Sequence, residues 1–193
     1  EVTIRKDLTM LEEQHMLYRV HGSAILVNRY INDRSVAEKE KLYADEKHAI
    51  GVYAARLIGP DDTIMVASGT TTLAMAREIG QNDRLTVITS AFSVASELST
   101  RRSVDVIQLG GITRSSSVSV VGPFAEQMLR SFNCSKLFIG VDGIDTEFGL
   151  TTTNMLEASL NGAMIDAAQK VIVLADSSKF GRRGFSKICD LES

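Results

Sequence analysis

The sequence predicts an α/β protein in which a Rossmann-like, mostly parallel sheet carries helices on both faces, with a small helix-and-hairpin unit in front of it. Two observations point to this fold. Short apolar runs rich in β-branched residues alternate with segments of helical periodicity from residue 63 onward. An amphipathic helix pattern and a hairpin pattern precede them within the first 27 residues. Strands that alternate with helices are typical of a parallel sheet covered on both sides.

The front unit begins with an amphipathic pattern over residues 3–14, whose apolar positions at helical spacing are Ile4, Leu8 and Leu11. Residues 16–20 and 24–27 then predict two short strands joined by a turn of small residues. A helix followed by a β-hairpin is the second half of a winged helix. We therefore assign residues 1–27 to a partial winged helix-turn-helix that contains its recognition helix and wing.

The junction between this unit and the body falls in residues 28–37, which lack periodicity and mix Asn, Asp, Arg and Ser. A linker is predicted there. The polar pattern that follows predicts one long helix from about Glu38 to Ile58, which ends before a Gly-Pro pair. We assign residues 38–193 to a single domain.

Within that body, five apolar runs predict strands and four periodic segments predict helices. The predicted strands cover residues 63–67, 85–89, 104–109, 136–141 and 171–175. The predicted helices cover residues 71–79, 92–99, 123–132 and 154–169. Because the two groups alternate along the chain, a parallel sheet with helical connections is favoured over an antiparallel one.

The bulk composition excludes several classes of protein. The 193 residues carry a formal net charge of −3, so any contact with DNA must be local. No apolar run approaches the roughly 18 residues that span a bilayer and no signal segment opens the chain, which predicts a cytoplasmic protein with no membrane partner. We expect neither a metal nor another cofactor, because metal-ligand spacing is missing around Cys134, Cys189, His15, His21 and His48.

Small, hydroxylated or charged residues follow every predicted strand. In an open parallel sheet the ligand lies outside the carboxyl ends of the strands, so these exits are the first candidates for a binding site. In chain order they carry Ser68, Gly69, Thr70, Thr71 and Thr72, then Ser90, then Gly110 and Gly111, then Asp142, Gly143 and Asp145, and last the segment 176–179. The first exit leads into a helix, whose N-terminal N–H groups suit a phosphate. Simple helix capping by Ser and Thr is the alternative for that segment taken alone.

Other features of the exits leave alternatives open. Asp142 and Asp145 are spaced to bind sugar hydroxyls, although a plain Asx turn explains them equally well. Lys179 is either a point charge for a phosphate or a lone surface lysine. The serine-rich segment 114–119 either covers a ligand or is a flexible surface loop. The dinucleotide-binding Gly-x-Gly-x-x-Gly and the P-loop motif are absent, which disfavours dinucleotides and nucleoside triphosphate hydrolysis.

Taken in order, these motifs resemble the DeoR family of bacterial transcription regulators over nearly the whole chain. In the front unit, residues 3–8, 11–14 and 19–22 are similar to the recognition helix and wing of that family. In the body, the resemblance rests on residues 68–72, 110–111, 141–145, 149–152, 157–158 and 176–181. The resemblance implies a sensor domain related in fold to ribose-5-phosphate isomerase and the coenzyme A transferases, with a phosphorylated sugar as its effector.

The resemblance also assigns roles to residues of the body. Gly69, Thr70 and Thr71 are expected to hold the phosphate, with Asp142 and Gly143 lining the pocket beside Lys179. The full set of ligand-binding candidates is Ser68, Gly69, Thr70, Thr71, Thr72, Ser90, Gly110, Gly111, Asp142, Gly143, Asp145, Thr152, Glu157 and Lys179.

Four departures from the family pattern accompany this resemblance. Family members often have Asp where this chain has Ala67 and Asn where it has Ser90, which bears on the choice of ligand. The earlier helices of the helix-turn-helix are expected to be missing. The sensor domain is also expected to be truncated after Ser193, because the family continues for another strand and helix.

The front unit favours a regulator over an enzyme. Side chains on a recognition helix and wing can contact bases or phosphates, and the candidates here are Thr3, Arg5, Lys6, Arg19 and His21. We expect a repressor of a sugar-metabolism operon, without catalytic residues, that binds operator DNA through its full-length N-terminal domain. Effector binding would then change how a homo-oligomer presents its winged helices, and so change operator affinity through linkage.

Two other functions are compatible with the body alone. A sugar-phosphate isomerase would use Asp142, Asp145 or Glu157 as a general acid or base on a ring-opened sugar. The other alternative is an oligomeric binding module without a role in transcription.

Overall fold

The computed structural model describes residues 2–14, 17–20, 23–26, 33–60, 62–80 and 84–192. The chain forms two compact units, residues 1–32 and residues 33–193. The predicted domain boundaries stay predictions, since the junction at 27–32 lies outside the described residues. No helix in the described ranges is both long enough and apolar enough to cross a membrane.

The first unit contains the predicted helix and hairpin. Helix α1 covers Val2–Glu13 and contacts β1 (Leu17–Val20), which pairs antiparallel with β2 (Ser23–Leu26). Leu17 is buried and pairs with Leu26 in the ladder.

The second unit opens with two helices where the sequence predicted one, so the prediction of a continuous helix over 38–58 is wrong. Helix α2 covers Val36–Glu40 and α3 covers Ala44–Ala55, with Tyr43 between them in the left-handed region at φ 54°. The buried Lys47 ammonium donates to the carbonyl oxygens of Lys39 and Leu42. The Lys39 carbonyl lies in the last turn of α2, where it also accepts from the Leu42 amide at 3.3 Å, and the Leu42 carbonyl lies between the two helices. The Lys47 ammonium therefore links the end of α2 to the segment before α3 and stabilises the break.

The rest of the second unit alternates strands and helices. In chain order it contains β3 (Thr63–Val66), α4 (Thr70–Glu78), β4 (Leu85–Thr89), α5 (Phe92–Leu98), β5 (Val104–Gln108), β6 (Ile112–Arg114), β7 (Ser119–Val121), α6 (Pro123–Leu129), β8 (Lys136–Gly140), β9 (Gly143–Asp145), β10 (Gly149–Thr152), α7 (Met155–Asp166), β11 (Val171–Leu174) and β12 (Ser186–Cys189). A single 3₁₀ turn covers Ser177–Lys179.

The central sheet has the order β11-β8-β3-β4-β5, and all its neighbouring strands are parallel. This confirms the predicted fold class and each of the five predicted strands. Strand β3 lies in the middle of the sheet and is buried on both faces. Ile64 and Val66 pack with α3, α4 and α5, whereas Met65 and Ala67 pack with α6 and α7. Full burial of a side chain the size of Ile64, Met65 or Val66 contributes about 2 kcal/mol to folding.

Two smaller sheets were not predicted. Strands β6 and β7 form an antiparallel hairpin, and β9, β10 and β12 form a three-stranded antiparallel sheet. The serine-rich segment 114–119 is therefore the end of a hairpin, and two of its hydroxyl-bearing residues, Ser117 and Ser119, are buried. Ser115 and Val118 in the same turn are exposed, so a ligand-covering segment and a surface loop both stay predictions.

Candidate ligand site at the strand ends

Three neighbouring strands of the central sheet end in polar residues that the fold brings together. Ser68 follows β3, Asp142 follows β8 and Asp176 follows β11, and these strands are adjacent in the sheet. Side chains that follow the carboxyl ends of adjacent parallel strands meet at one edge of the sheet. Ser68 and Asp176 are buried, and Asp142 is half-buried.

The turn after β3 leads directly into helix α4. Gly69 precedes the helix with φ 154°, a conformation that a side chain disfavours, and a Cβ there would lie 3.2 Å from the Thr72 hydroxyl. Thr72 donates to the Gly69 carbonyl oxygen at 2.9 Å, which closes the turn. The first N–H groups of a helix have no partner within the helix, so Thr70, Thr71 and Thr72 offer backbone donors at this edge.

A hydrogen-bonded network joins that turn to the exit of β8. The Ser68 hydroxyl donates to Glu157 Oε1 at 2.9 Å. Glu157 Oε2 accepts a longer contact of 3.4 Å from Thr152, whose hydroxyl also lies 3.1 Å from Asp142 Oδ2. Lys39 Nζ lies 2.8 Å from Asp142 Oδ1. Four of the predicted ligand residues therefore share one network: Ser68, Asp142, Thr152 and Glu157.

The pKa values of the two acids in this network are shifted in opposite directions. Burial alone would raise the pKa of Asp142, but the Lys39 ammonium outweighs it and holds that pKa below its ordinary value. Burial raises the pKa of Glu157, and the positive charge of Arg114 offsets this only in part. Asp142 is therefore a fixed negative charge, whereas Glu157 is the more easily protonated acid.

Two further lysines lie at this edge without a carboxylate partner in contact. Lys47 is 6% exposed and its ammonium donates to backbone carbonyls. Lys179 is half-buried, and within the described part of the chain its Nζ makes no hydrogen bond or ion pair. Burial lowers the pKa of both lysines, although negative charges oppose the shift: Asp176 for Lys47 and Asp142 for Lys179.

Asp176 is the acid that follows β11. Its Oδ1 accepts from the Ser178 amide at 2.9 Å, which caps the 3₁₀ turn that carries Lys179. Its Oδ2 is buried and has no hydrogen-bond partner in the described residues. A buried carboxylate oxygen without a donor is costly, which marks this edge as incomplete without a further group.

The structure places several predicted residues outside this network. Asp145 accepts from the amides of Glu147 and Phe148 and pairs with Arg183 at 2.9 Å. The Arg183 guanidinium and these amides lower the pKa of Asp145 to about 2. Its contacts are those of an Asx turn on the three-stranded sheet. Gly143 is buried at the start of β9, where it pairs with Thr151.

The exits of β4 and β5 are occupied by the hairpin of β6 and β7. Ser90 is buried, and its carbonyl oxygen accepts from the Val120 amide at 2.9 Å. Gly110 and Gly111 are exposed, and the Gly110 amide lies 3.3 Å from the Met128 sulfur. Arg114, the last residue of β6, contacts the network: its guanidinium lies 3.4 Å from Glu157 Oε2.

Sequence reasoning missed four charged residues that the fold brings to the network: Asp33, Lys39, Lys47 and Arg114. One signal was available for Lys39. Ser35 and Glu38 form a capping box, a pattern that starts a helix before residue 38 and gives Lys39 a defined position on it. Arg114 carries no local signal, because its partners Glu157 and Asp33 are distant in sequence. Lys47 reaches carbonyls close to it in sequence, but across a break between two helices that the sequence pattern did not predict.

The cysteines and histidines of the described residues do not assemble a metal site. No group of three or more His, Cys, Asp or Glu side chains within the described ranges could hold an ion. His48 is exposed, with its nearest acid, Glu78, at 3.5 Å. His15 and His21 lie outside the described residues.

The candidate DNA-contacting residues are described only in part. Arg5 and Lys6 are exposed on α1. The side chains of Thr3 and Arg19, and the whole of His21, lie outside the described part of the chain, so their predicted roles stay predictions.

Comparison with known proteins gives the same two parts. Residues 1–30 match the DeoR-like helix-turn-helix domain, and residues 43–193 match the DeoR C terminal sensor domain. The HTH-type transcriptional regulator YulB of Bacillus subtilis is 38% identical over 192 residues, covering 100% of this chain and 74% of that protein. The transcriptional repressor AccR of Agrobacterium fabrum is 34% identical over 191 residues, covering 98% of this chain and 74% of that protein.

These matches define a helix-turn-helix transcriptional regulator with an appended sensor domain. The chain belongs to the DeoR family, which confirms the resemblance seen in the sequence.

A solved structure confirms the predicted relationship in fold. Ribose 5-phosphate isomerase from Plasmodium falciparum superimposes with a TM-score of 0.51 at 14% identity. The match covers 72% of this chain and 53% of that chain, about half of the isomerase. At this identity the likeness concerns the fold alone.

Proposed function

We propose that residues 33–193 bind a phosphorylated sugar at the ends of β3, β8 and β11, and that this ligand controls binding of operator DNA by the regulator. The observation that carries the proposal is the half-buried Lys179, whose Nζ makes no ion pair or hydrogen bond in the described residues. A half-buried cation without a partner loses part of its hydration without compensation, and a phosphate would supply the missing negative charge.

The phosphate would lie between Lys179 and the start of α4. Gly69, Thr70 and Thr71 would supply backbone N–H groups, and the hydroxyls of Ser68 and Thr72 flank them. Lysine at one side and a helix N-terminus at the other is a recurrent arrangement for phosphate groups. The buried Lys47 adds positive charge to the same edge.

The sugar would occupy the acidic part of the edge. Asp142 is held ionised by Lys39, and Asp176 has a carboxylate oxygen without a donor. Carboxylate oxygens accept hydrogen bonds from sugar hydroxyls, and Thr152 and Glu157 complete this side of the pocket. The remaining candidates do not contact the ligand in this proposal. They are Ser90, Gly110, Gly111, Gly143 and Asp145.

The same acids support binding better than catalysis. Each carboxylate that would act as a general acid or base is already engaged, Asp142 by Lys39 and Glu157 by Ser68 and Arg114. The relatives are named as transcriptional regulators, one of them as a repressor. We therefore propose a repressor rather than an isomerase. Homo-oligomerisation and a cytoplasmic location remain predictions from the sequence.

A thermal-shift screen tests ligand binding. The panel would pair ribose 5-phosphate, glucosamine 6-phosphate and other phosphorylated sugars with their unphosphorylated parents, and would include inorganic phosphate. A ligand that binds only the folded state raises the midpoint of unfolding. We expect a phosphorylated sugar to raise it and its parent to leave it unchanged. Equal shifts with parent sugars, or no shift across the panel, would contradict the proposal, and turnover of a panel member would identify an isomerase.

Operator binding is tested on the full-length protein. Arg5→Ala combined with Lys6→Ala should weaken promoter binding and reduce its dependence on salt, because each phosphate contact releases counterions. Glu12→Gln and Glu13→Gln on the same helix serve as controls. Unchanged affinity and salt dependence in the Arg5/Lys6 variant would remove α1 from the DNA interface.

A further inference from the structure

A short segment at the start of the second unit contacts the ligand site at two points. We call residues 33–43 the strap; it begins directly after the junction with the first unit and includes helix α2. Its first anchor is Asp33, whose carboxylate accepts from Arg114, from Ser116 at 2.9 Å and from Thr153 at 3.1 Å. The Val36 amide adds a hydrogen bond of 2.8 Å to the Ser116 carbonyl oxygen.

The second anchor of the strap is Lys39. Its ammonium pairs with Asp142 in the ligand site, and its backbone carbonyl accepts from Lys47. Lys39 thus contacts Asp142 through its side chain and the buried Lys47 through its backbone. The strap is connected to the site at its beginning and near its end.

Arg114 links the first anchor, Asp33, to the turn that follows β3 at Ser68. Its guanidinium reaches Asp33 with one nitrogen and Glu157 with the other, the latter at 3.4 Å, and its side chain is 12% exposed. Glu157 in turn accepts from the Ser68 hydroxyl. The contacts therefore run without a gap from Ser68 through Glu157 and Arg114 to Asp33.

Polar contacts, rather than an apolar core, hold the strap. Helix α2 has no buried residue, and the strap residues are exposed or half-buried throughout. An element with little apolar burial opens at low free-energy cost, so a change in one charged contact alters its stability noticeably. Its hydrogen bonds lie next to the groups that a bound phosphate and sugar would contact.

We propose that the strap is the element through which the ligand site controls the first unit, with Arg114 as the positioning residue that couples the turn at Ser68 to Asp33. This rests on the proposed function. Sugar hydroxyls bound to Asp142 would fix the carboxylate that pairs with Lys39, and a phosphate bound at the Ser68 turn would fix Glu157 and Arg114. Both effects tighten the strap, which directly follows the chain connection from the first unit and so biases the arrangement of that unit.

Hydrogen exchange measured by mass spectrometry tests the coupling first without ligand. Ser68→Ala removes the hydroxyl that orients Glu157, and we expect amides of the strap to exchange about fivefold to tenfold faster, as loss of one charge-assisted hydrogen bond implies. Arg114→Lys should have the same effect, because lysine keeps the charge but lacks the fork that bridges two carboxylates. Strap exchange that stays unchanged in both variants would overturn the proposal.

The matched control is Arg183→Lys. Arg183 also bridges two carboxylates, Asp145 and Glu147, but on the three-stranded sheet. We expect this variant to leave strap exchange unchanged. An increase equal to that of Arg114→Lys would mean that any lost arginine bridge loosens the strap, and would overturn the specific path through Arg114.

The second arm adds inorganic phosphate as the probe. We expect it to slow exchange of the strap in the wild type and to do so less over residues 33–36 in Asp33→Asn. Phosphate that raises the unfolding midpoint without slowing strap exchange would overturn the coupling. Phosphate that produces no shift, in a protein that also ignores all phosphorylated sugars, would contradict the proposed function, while the ligand-free arm would still decide the coupling.

Discussion

The two edges of the central sheet each carry a lysine–aspartate pair, and they differ in whether the surrounding polar groups are complete. At the amino edge, Lys136 pairs with Asp62. The same carboxylate accepts from the Gly59 amide at 2.6 Å and from the Ser135 hydroxyl at 2.8 Å. One cation, one anion and their donors satisfy one another, so this cluster stabilises the fold without a ligand.

The carboxyl edge has a lysine–aspartate pair too, but its cluster is open. Beyond Lys39 and Asp142 it contains Lys179 without a partner and Asp176 with an unpartnered oxygen in the described residues. Both edges bury charge, so burial alone does not distinguish them. The two edges differ in unsatisfied charge, which lowers stability until a bound ligand supplies the missing partners.

The largest expected effect is the loss of stability when the closed cluster at the amino edge is broken. Lys136→Met leaves the Asp62 carboxylate mostly buried without its cation, and we expect the free energy of unfolding to fall by about 3 kcal/mol. Chemical denaturation measures it. Phosphate binding should be unchanged, because Lys136 starts β8 whereas the site follows its end.

The comparison for that variant is Lys179→Met at the open edge. It breaks no ion pair within the described residues and removes the cost of burying an ammonium group, so we expect no loss of stability without ligand. If both lysine variants lost the same stability, the distinction between a closed and an open cluster would be wrong.

The next effect concerns the turn before α4. Gly69→Ala places a Cβ in a disfavoured backbone conformation and 3.2 Å from the Thr72 hydroxyl. We expect a loss of about 1–2 kcal/mol in stability and weaker phosphate binding. Gly181→Ala is the control, since Gly181 has φ 67° and nothing within 4 Å of a new Cβ. It should lose stability without losing phosphate affinity; an affinity loss in both would point to general strain.

A smaller change is expected from Ser135→Ala at the amino edge. It removes the single hydroxyl proton that lies within reach of Asp62 Oδ1 at 2.8 Å and of the Thr63 carbonyl oxygen at 2.9 Å. We expect stability to fall by about 1 kcal/mol with no change in phosphate binding. The measurement is again chemical denaturation, and a weakened affinity for phosphate would show that the two edges are not independent.

The smallest effect is a dependence of binding on pH. The lowered pKa of Lys179 means that its ammonium loses its proton at a lower pH than an ordinary lysine. A phosphate monoester has its second pKa at about 6, so its own charge is constant above neutral pH. Affinity should therefore fall a few-fold as the pH is raised above neutral, and calorimetry on Lys179→Met should show a flatter profile. Identical profiles would exclude Lys179 as the group responsible.

The sequence was sufficient for the central sheet because β3, β4 and β8 are apolar runs buried on both faces. It was insufficient for β6 and β7, which have three residues each, too few for a periodic pattern. The break between α2 and α3 also escaped it. That break depends on Lys47 reaching the carbonyls of Lys39 and Leu42, which is a tertiary contact rather than a local preference.

The same reasoning separates the predicted from the missed site residues. Ser68, Asp142 and Asp176 follow strands directly, so strand order alone brings them together. Lys39 and Arg114 reach the network from helix α2 and from the hairpin of β6 and β7. The capping box at Ser35 and Glu38 predicts the start of α2 but not the contact of Lys39 with Asp142, and no spacing in the sequence predicts the contacts of Arg114. Asp145 follows β8 by only five residues, yet β9 carries it to the Asx turn on the smaller sheet.

Titration calorimetry on the wild type and Lys179→Met tests the central claim, that the open edge is a sugar-phosphate site. The ligands would be the phosphorylated sugar with the largest thermal shift and its unphosphorylated parent, and Lys41→Met, at an exposed lysine beside α2, would be the control. We predict that only the phosphorylated sugar binds, that Lys179→Met weakens it about 10-fold to 100-fold, and that Lys41→Met does not. Equal affinity in Lys179→Met and the wild type, or equal binding of the parent sugar, would contradict the account.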